Sequence, residues 1–267
     1  MGVRLSAGDI RARKGGMRLA MLTAYDYPTA MALEAAGVDV LLVGDSLGEV
    51  ELGFPTTRDV TLAMMAHHVR AVRNGAPGTH VCGDMPADTY RTPDEAVRSA
   101  RVLVAAGADS VKLEGGLTPR VAAIIADGIP VIGHVGLLPQ TAEVYRREGR
   151  TPEEADRIAA EARALDAAGC CAIVIEAVPA ELAERITREV GAPTIGIAAG
   201  TETDGQVLVS TDLIGQLPSV PRFVKPRADV YGAVVGAAAA YVEEVRGVAA
   251  PVHAAAAGAG GGIYRAG

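Results

Sequence analysis

Short apolar runs that stop abruptly at a polar residue recur along the chain. Leu41-Leu42-Val43-Gly44 is followed by Asp45, and His80-Val81-Cys82-Gly83 by Asp84. Ser110-Val111-Lys112-Leu113 leads to Glu114, Val131-Ile132-Gly133 to His134, and Ala172-Ile173-Val174-Ile175 to Glu176. Runs of this length, rich in β-branched residues and bounded by glycine or proline, read as buried parallel strands. Helix starts fall between them. Thr92-Pro93-Asp94-Glu95 and Thr151-Pro152-Glu153-Glu154 each offer a capping hydroxyl, a proline at the first helical position and first-turn acids, and Thr118-Pro119 reads the same way.

The resulting order is strand, loop, helix throughout. Strands are expected at residues 18–23, 38–43, about 80–83, 110–113, 129–133, 171–175 and 193–197. An eighth is assigned to Phe223-Val224-Lys225, and Val207-Leu208-Val209 stays open between a strand and a first helical turn. A last helix is expected over residues 230–245. The long glycine-bearing stretch from Asp45 to Pro55 reads as a functional loop. About eight such units predict a closed (β/α)8 TIM barrel in preference to an open doubly wound sheet. No Gly-x-Gly-x-x-Gly follows the first strand and no phosphate-binding Gly-x-x-x-x-Gly-Lys-Ser/Thr occurs, which weakens a nucleotide-binding reading.

Composition agrees with that class. The 267 residues suit one barrel of ~250 residues, taken as residues 1–250 with a short N-terminal cap. The Ala/Gly-rich tail at 251–267 is expected to be disordered. The formal charge is −7 with no basic cluster, which argues against nucleic acid and anionic membrane as partners. The three cysteines, Cys82, Cys170 and Cys171, form neither a disulfide framework nor a zinc spacing, so a reducing cytoplasm is expected. No signal-peptide or membrane-spanning pattern is found.

If the strands close into one barrel, their polar ends meet at one rim. Asp45, Asp84 and Glu114 are three hard oxygen donors that suit Mg2+; single acids after strands also serve as helix caps, and that alternative stands beside the metal. Lys112 on a buried strand needs an anion, either a neighbouring carboxylate such as Asp84 or Glu114 or the carboxylate or oxyanion of a substrate. Ser46 either contacts the same substrate or satisfies its own loop. His134, between Gly133 and Gly136, is read as a neutral hydrogen-bond donor to substrate, with a packed core histidine as the alternative. Glu176 ends an apolar strand, where desolvation raises a carboxyl toward the range of a general base.

Several stretches together resemble the ketopantoate hydroxymethyltransferase family. They are Thr23-Ala24-Tyr25-Asp26, Gly44-Asp45-Ser46-Leu47-Gly48, Asp84-Met85-Pro86, Val111-Lys112-Leu113-Glu114-Gly115-Gly116, Gly133-His134-Val135-Gly136-Leu137, Glu176-Ala177-Val178-Pro179 and Thr203-Asp204-Gly205-Gln206. The resemblance implies a barrel of the phosphoenolpyruvate/pyruvate superfamily, with Mg2+ on Asp45 and Asp84 and Glu114 close by. It implies a 2-oxo acid held by the metal, Ser46, Lys112 and His134. Glu176 would be the base that forms the C3 enolate, and 5,10-methylenetetrahydrofolate the one-carbon donor in pantothenate biosynthesis. It further implies a homo-oligomer, a decamer in the family. This chain departs from the family pattern at Ala87, at Leu138 and in a shortened segment after Gln140, so the pocket walls differ while the metal and base positions are intact. A paralogue acting on another 2-oxo acid, a Mg-dependent lyase or mutase on the same barrel, and a non-catalytic scaffold are the rival readings.

Overall fold

Along the strands, side chains alternate between two hydrophobic layers, as the two-residue period requires. Leu41, Val43, Val81, Val111, Leu113, Val131, Val135, Ile173 and Ile175 join the helices in one core, whereas Val40, Leu42, Cys82, Ile132, Ala172 and Val174 form a second cluster inside the ring of strands. The computed structural model describes residues 4–247. The tail expected at 251–267 lies outside the described residues.

Eight parallel strands close into one barrel in sequence order. They are β1 (Leu19–Thr23), β2 (Val40–Val43), β3 (His80–Asp84), β4 (Ser110–Lys112), β5 (Val131–Gly136), β6 (Ala172–Glu176), β7 (Thr194–Ile197) and β8 (Gly205–Leu208). The helices are α1 (Ala7–Arg11), α2 (Tyr27–Ala35), α3 (Leu47–Val50), α4 (Leu62–Gly75), α5 (Pro93–Ala106), α6 (Thr118–Ala126), α7 (Pro152–Ala167), α8 (Ala180–Glu189), α9 (Ser210–Leu213) and α10 (Val230–Val245). The threonine caps read from sequence form at α5 and α7, where Thr92 and Thr151 accept from the backbone N–H groups of Glu95 and Glu154. At α6 the cap position falls to Leu117, so Thr118 is the first helical residue and makes no cap.

The eighth strand is a correction. Barrel closure is made by β8, which pairs with β1 from Leu19↔Gly205 to Leu22↔Leu208 and with β7 through Ile195↔Gly205. Phe223-Val224-Lys225 forms no strand and instead carries a turn in which the Val224 N–H donates to the Pro221 carbonyl. Gly-Gln-Val-Leu has only two apolar residues, too few to stand out by periodicity. The close fit of β8 explains its glycine: a Cβ on Gly205 would sit 2.6 Å from the Leu19 carbonyl oxygen. A second difference is that the Asp45–Pro55 stretch is not all loop, since it holds α3 and is followed by a 3-10 turn over Thr57–Asp59.

The N-terminal segment packs against the barrel strands. Ile10 of α1 joins the cluster inside the barrel, and His80 holds Leu5 through Nδ1 to its carbonyl at 2.8 Å and Ser110 Oγ through Nε2 at 2.8 Å. By contact the chain divides after Ser210 into a barrel unit and a second unit from Thr211 onward. The second unit carries α10, sixteen residues of which only Glu243 and Glu244 are charged. Among the described residues no helix is long and apolar enough to cross a membrane.

Candidate functional site

The alternation that sorts the apolar residues also aims the polar ones. Asp84 shares the inward parity of Cys82, Lys112 and Glu114 that of Ser110, His134 that of Ile132, and Glu176 that of Val174. Register completes the convergence: Asp84 pairs directly with Lys112 across β3 and β4, and Glu176 with Gly136 across β6 and β5. These side chains therefore meet at the carboxyl ends of the strands, where barrels of this type carry their chemistry.

Lys112 Nζ lies 2.7 and 2.6 Å from the two oxygens of Asp84, so of the two partners open to it from sequence the structure supplies the carboxylate. Asp45 and Glu114 are also buried, at 5% and 4% exposure. None of the three acids caps a helix, because the cap positions of the helices that follow them are Ser46, Thr92 and Leu117. Three carboxyl groups, those of Asp84, Glu114 and Asp45, thus crowd around one ammonium, and Glu176 lies within electrostatic reach of Asp45. Burial, with the charge of Asp84 added, pushes the Asp45 carboxyl up to about 7 against the pull of Lys112 and Gln140. Burial likewise raises Glu114 well above the carboxylate range. For Lys112 burial opposes the charged form, but the surrounding carboxylates outweigh it and hold the ammonium protonated.

His134 lies between two of the acids. Its Nε2 is 3.2 Å from Glu176 Oε2 and its Nδ1 is 3.8 Å from Glu114 Oε1, yet neither nitrogen has a well-aligned hydrogen-bond partner. Burial and then the Lys112 charge depress its basicity below that of a free imidazole. Glu176 is less enclosed than the apolar run before it implies, with 23% of its side chain exposed. Ser46 is half-buried and its Oγ lies 2.9 Å from Tyr25 Oη.

The donor set fits a hard divalent cation. Two buried aspartates with oxygen donors are what Mg2+ takes from a protein when water and substrate complete its shell, and Asp45 and Asp84 are both buried here. Among the described residues no three His, Cys, Asp or Glu side chains are grouped so that they could hold a metal ion. Glu114 is turned elsewhere, its Oε2 accepting from the Gln140 backbone N–H at 3.1 Å.

Several participants escaped the sequence reading. Gln140 is buried, donating from Nε2 to Asp45 Oδ2 at 2.8 Å and to the Met85 carbonyl at 2.9 Å, while Tyr90 Oη donates to its Oε1. Glu49 is half-buried; burial raises its carboxyl, a hydrogen bond from Tyr145 opposes that, and Glu176 lies within electrostatic reach. The shortened segment after Gln140 thereby touches the loop after β2, with Arg58 Nη2 donating to the Ala142 carbonyl at 3.3 Å as a second tie. A polar residue inside an irregular loop carries no periodic signal, so these contacts had none to find.

A family model described as ketopantoate hydroxymethyltransferase matches residues 4–252. A 3-methyl-2-oxobutanoate hydroxymethyltransferase of Oleidesulfovibrio alaskensis is 49% identical over 250 residues, spanning 91% of this chain and 86% of its own. One of Thermus thermophilus is 49% identical over 251 residues, 91% of this chain and 96% of its own. Among solved structures, a phosphonopyruvate hydrolase superposes with a TM-score of 0.63 at 15% identity, covering 96% of this chain and 92% of that one. A 2,3-dimethylmalate lyase of the PEP mutase/isocitrate lyase superfamily superposes at 0.60 with 18% identity, covering 94% and 92%. These two likenesses show the barrel alone. The match across nearly the whole length, together with relatives at about half identity, shows that the chain belongs to the ketopantoate hydroxymethyltransferase family.

Proposed function

We propose that this chain transfers a hydroxymethyl group to 3-methyl-2-oxobutanoate, giving 2-dehydropantoate in pantothenate biosynthesis, with Mg2+ as the ion and 5,10-methylenetetrahydrofolate as the one-carbon donor. The observation that carries it is the meeting of Asp45, Asp84, Lys112, His134 and Glu176 at one end of the barrel. Asp45 and Asp84 would hold the ion, with Glu114 beside them, and the ion when bound supplies Lewis-acid stabilisation of the oxo acid's oxygens.

The chain's own residues then account for the proton and the charge. Ser46, steadied by Tyr25, donates a hydrogen bond to the oxo acid. Glu176, partly open to the cavity, takes the proton from C3. Lys112 offers its ammonium to the developing enolate oxygen, and the neutral His134 donates a hydrogen bond without adding charge. The C3 carbon bonds to the folate methylene carbon, both carbon–nitrogen bonds of the bridging methylene break, one water supplies the hydroxyl, and the two folate nitrogens take up the proton removed from C3 and the remaining proton of that water. Tetrahydrofolate leaves. The names of the relatives support 3-methyl-2-oxobutanoate as the oxo acid.

A homo-oligomer belongs to the same proposal. The apolar length of α10, with Tyr231, Val234, Val235, Tyr241 and Val245 exposed, supports a second copy of the chain as what covers it. The residues described and the family support a cytoplasmic biosynthetic enzyme.

The test is proton exchange at C3 of 3-methyl-2-oxobutanoate and of oxo acids with smaller and larger C3 substituents, in D2O with Mg2+, with and without tetrahydrofolate. Wild type is expected to exchange 3-methyl-2-oxobutanoate fastest. Loss of a general base costs about 10²–10⁴-fold, and that loss is expected of Glu176→Gln. Full exchange in that variant would remove Glu176 from its role, and faster exchange of another oxo acid would point to a paralogue.

A further inference from the structure

Gln140 makes four hydrogen bonds, and they reach residues 26 to 95 positions away in the chain. Both Nε2 hydrogens are used, one on Asp45 Oδ2 and one on the Met85 carbonyl, and the ionised carboxylate and the carbonyl can only accept. Tyr90 Oη donates to Oε1 on the opposite side. The amide therefore has one orientation: a flip would set its oxygen against two acceptors and leave the Tyr90 hydroxyl facing a donor. The backbone N–H of the same residue binds Glu114 Oε2. One loop residue after β5 thus ties together the ends of β2, β3 and β4.

The consequence for Asp45 is geometric. The hydrogen bond from Gln140 to Oδ2 fixes the rotation of the carboxyl group and so sets how both of its oxygens are presented. Asp84 already shares both of its oxygens with Lys112, so the aim of Asp45 decides how an ion sits. We infer that Gln140 is a positioning residue that fixes the aim of the Asp45 carboxylate toward an ion, with Tyr90 fixing the orientation of the amide. The inference rests on the reading that an ion binds at Asp45 and Asp84.

Mn2+ replaces Mg2+ as the probe, with free Mn2+ followed by electron paramagnetic resonance and the melting temperature measured separately in EDTA. Removing an outer partner of a metal ligand typically weakens the metal about 10–100-fold, and that loss is expected of Gln140→Met, which keeps the side-chain length but none of the amide's hydrogen bonds. Tyr90→Phe leaves the amide present but unfixed and is expected to weaken Mn2+ in the same direction by only several-fold. A merely structural role would lower both melting temperatures and leave the Mn2+ affinity of the folded variants at the wild-type value; that result overturns the inference. The underlying reading fails differently, if wild type binds no Mn2+ or if Asp45→Asn binds it as tightly as wild type.

Discussion

Replacing Asp45 by Asn should make the metal-free protein more stable above neutral pH, although it removes a carboxylate proposed to hold the ion. Burial and the neighbouring Asp84 hold the Asp45 carboxyl at about 7 in the fold, against 3.8 for the free side chain. The folded state therefore binds more protons than the unfolded state between those values, so stability must fall as pH rises through the window. At 1.36 kcal/mol per pH unit, the full gap amounts to roughly 4 kcal/mol of destabilisation once the group is ionised. About 1.5 kcal/mol of it is present at pH 5 and essentially all of it at pH 8. Asn has no such titration, and its side-chain oxygen can still accept from Gln140.

The assay is urea unfolding of wild type and Asp45→Asn in EDTA at several pH values from 5 to 8. Taking the difference between the two proteins cancels groups that titrate alike in both; Glu114 does not cancel fully, because the Asp45 charge helps to raise its carboxyl and so adds to the gap in the same direction. The gap is expected to favour Asp45→Asn and to widen by roughly 2–3 kcal/mol across that range. Adding Mg2+ should then close most of the gap at pH 8, because an ion present at 100 times its Kd stabilises the protein that binds it by about 2.7 kcal/mol. A gap that stays flat with pH, or a variant less stable than wild type at pH 8 in EDTA, would show that Asp45 is not strained by its surroundings and would sink the reasoning.

Two other substitutions probe the same centre. Lys112→Met leaves Asp84 buried without its ammonium; breaking a buried pair from one side costs about 3–5 kcal/mol, read as a lowered urea midpoint that recovers partly at pH 5 as the carboxyls take up protons, and an unchanged midpoint at pH 8 would refute it. Gly136→Ala should slow C3 exchange by at least tenfold, because Gly136 has φ +98° and its added Cβ would strike the Glu176 carbonyl; the accompanying backbone strain is of order 1–3 kcal/mol, and wild-type exchange in a folded variant would show that Glu176 tolerates a shift of its strand.

The barrel and the inward acids were legible in the sequence for one reason. Parallel strands buried on both faces read as apolar runs, and a charged residue at the end of such a run is conspicuous. Asp84, Lys112, Glu114, His134 and Glu176 all announce themselves in this way, and the two-residue period then decides that they face the same side. Where the run is weak the signal vanishes: β8 closes the ring with Gly205, Gln206, Val207 and Leu208, its place set by the close approach to β1. Gln140 lies beyond sequence reading for a deeper reason. Its partners, Asp45, Met85, Tyr90 and Glu114, are brought to it by closure of the barrel and by no local pattern. The strand-end acids set what charge the site holds, and a loop residue sets how that charge is aimed. In a fold where strands are fixed by the core and loops are free to vary, the aim can change without disturbing the charge. The altered segment after Gln140, tied to the loop after β2 through Arg58 and Ala142, stands where such a change would act.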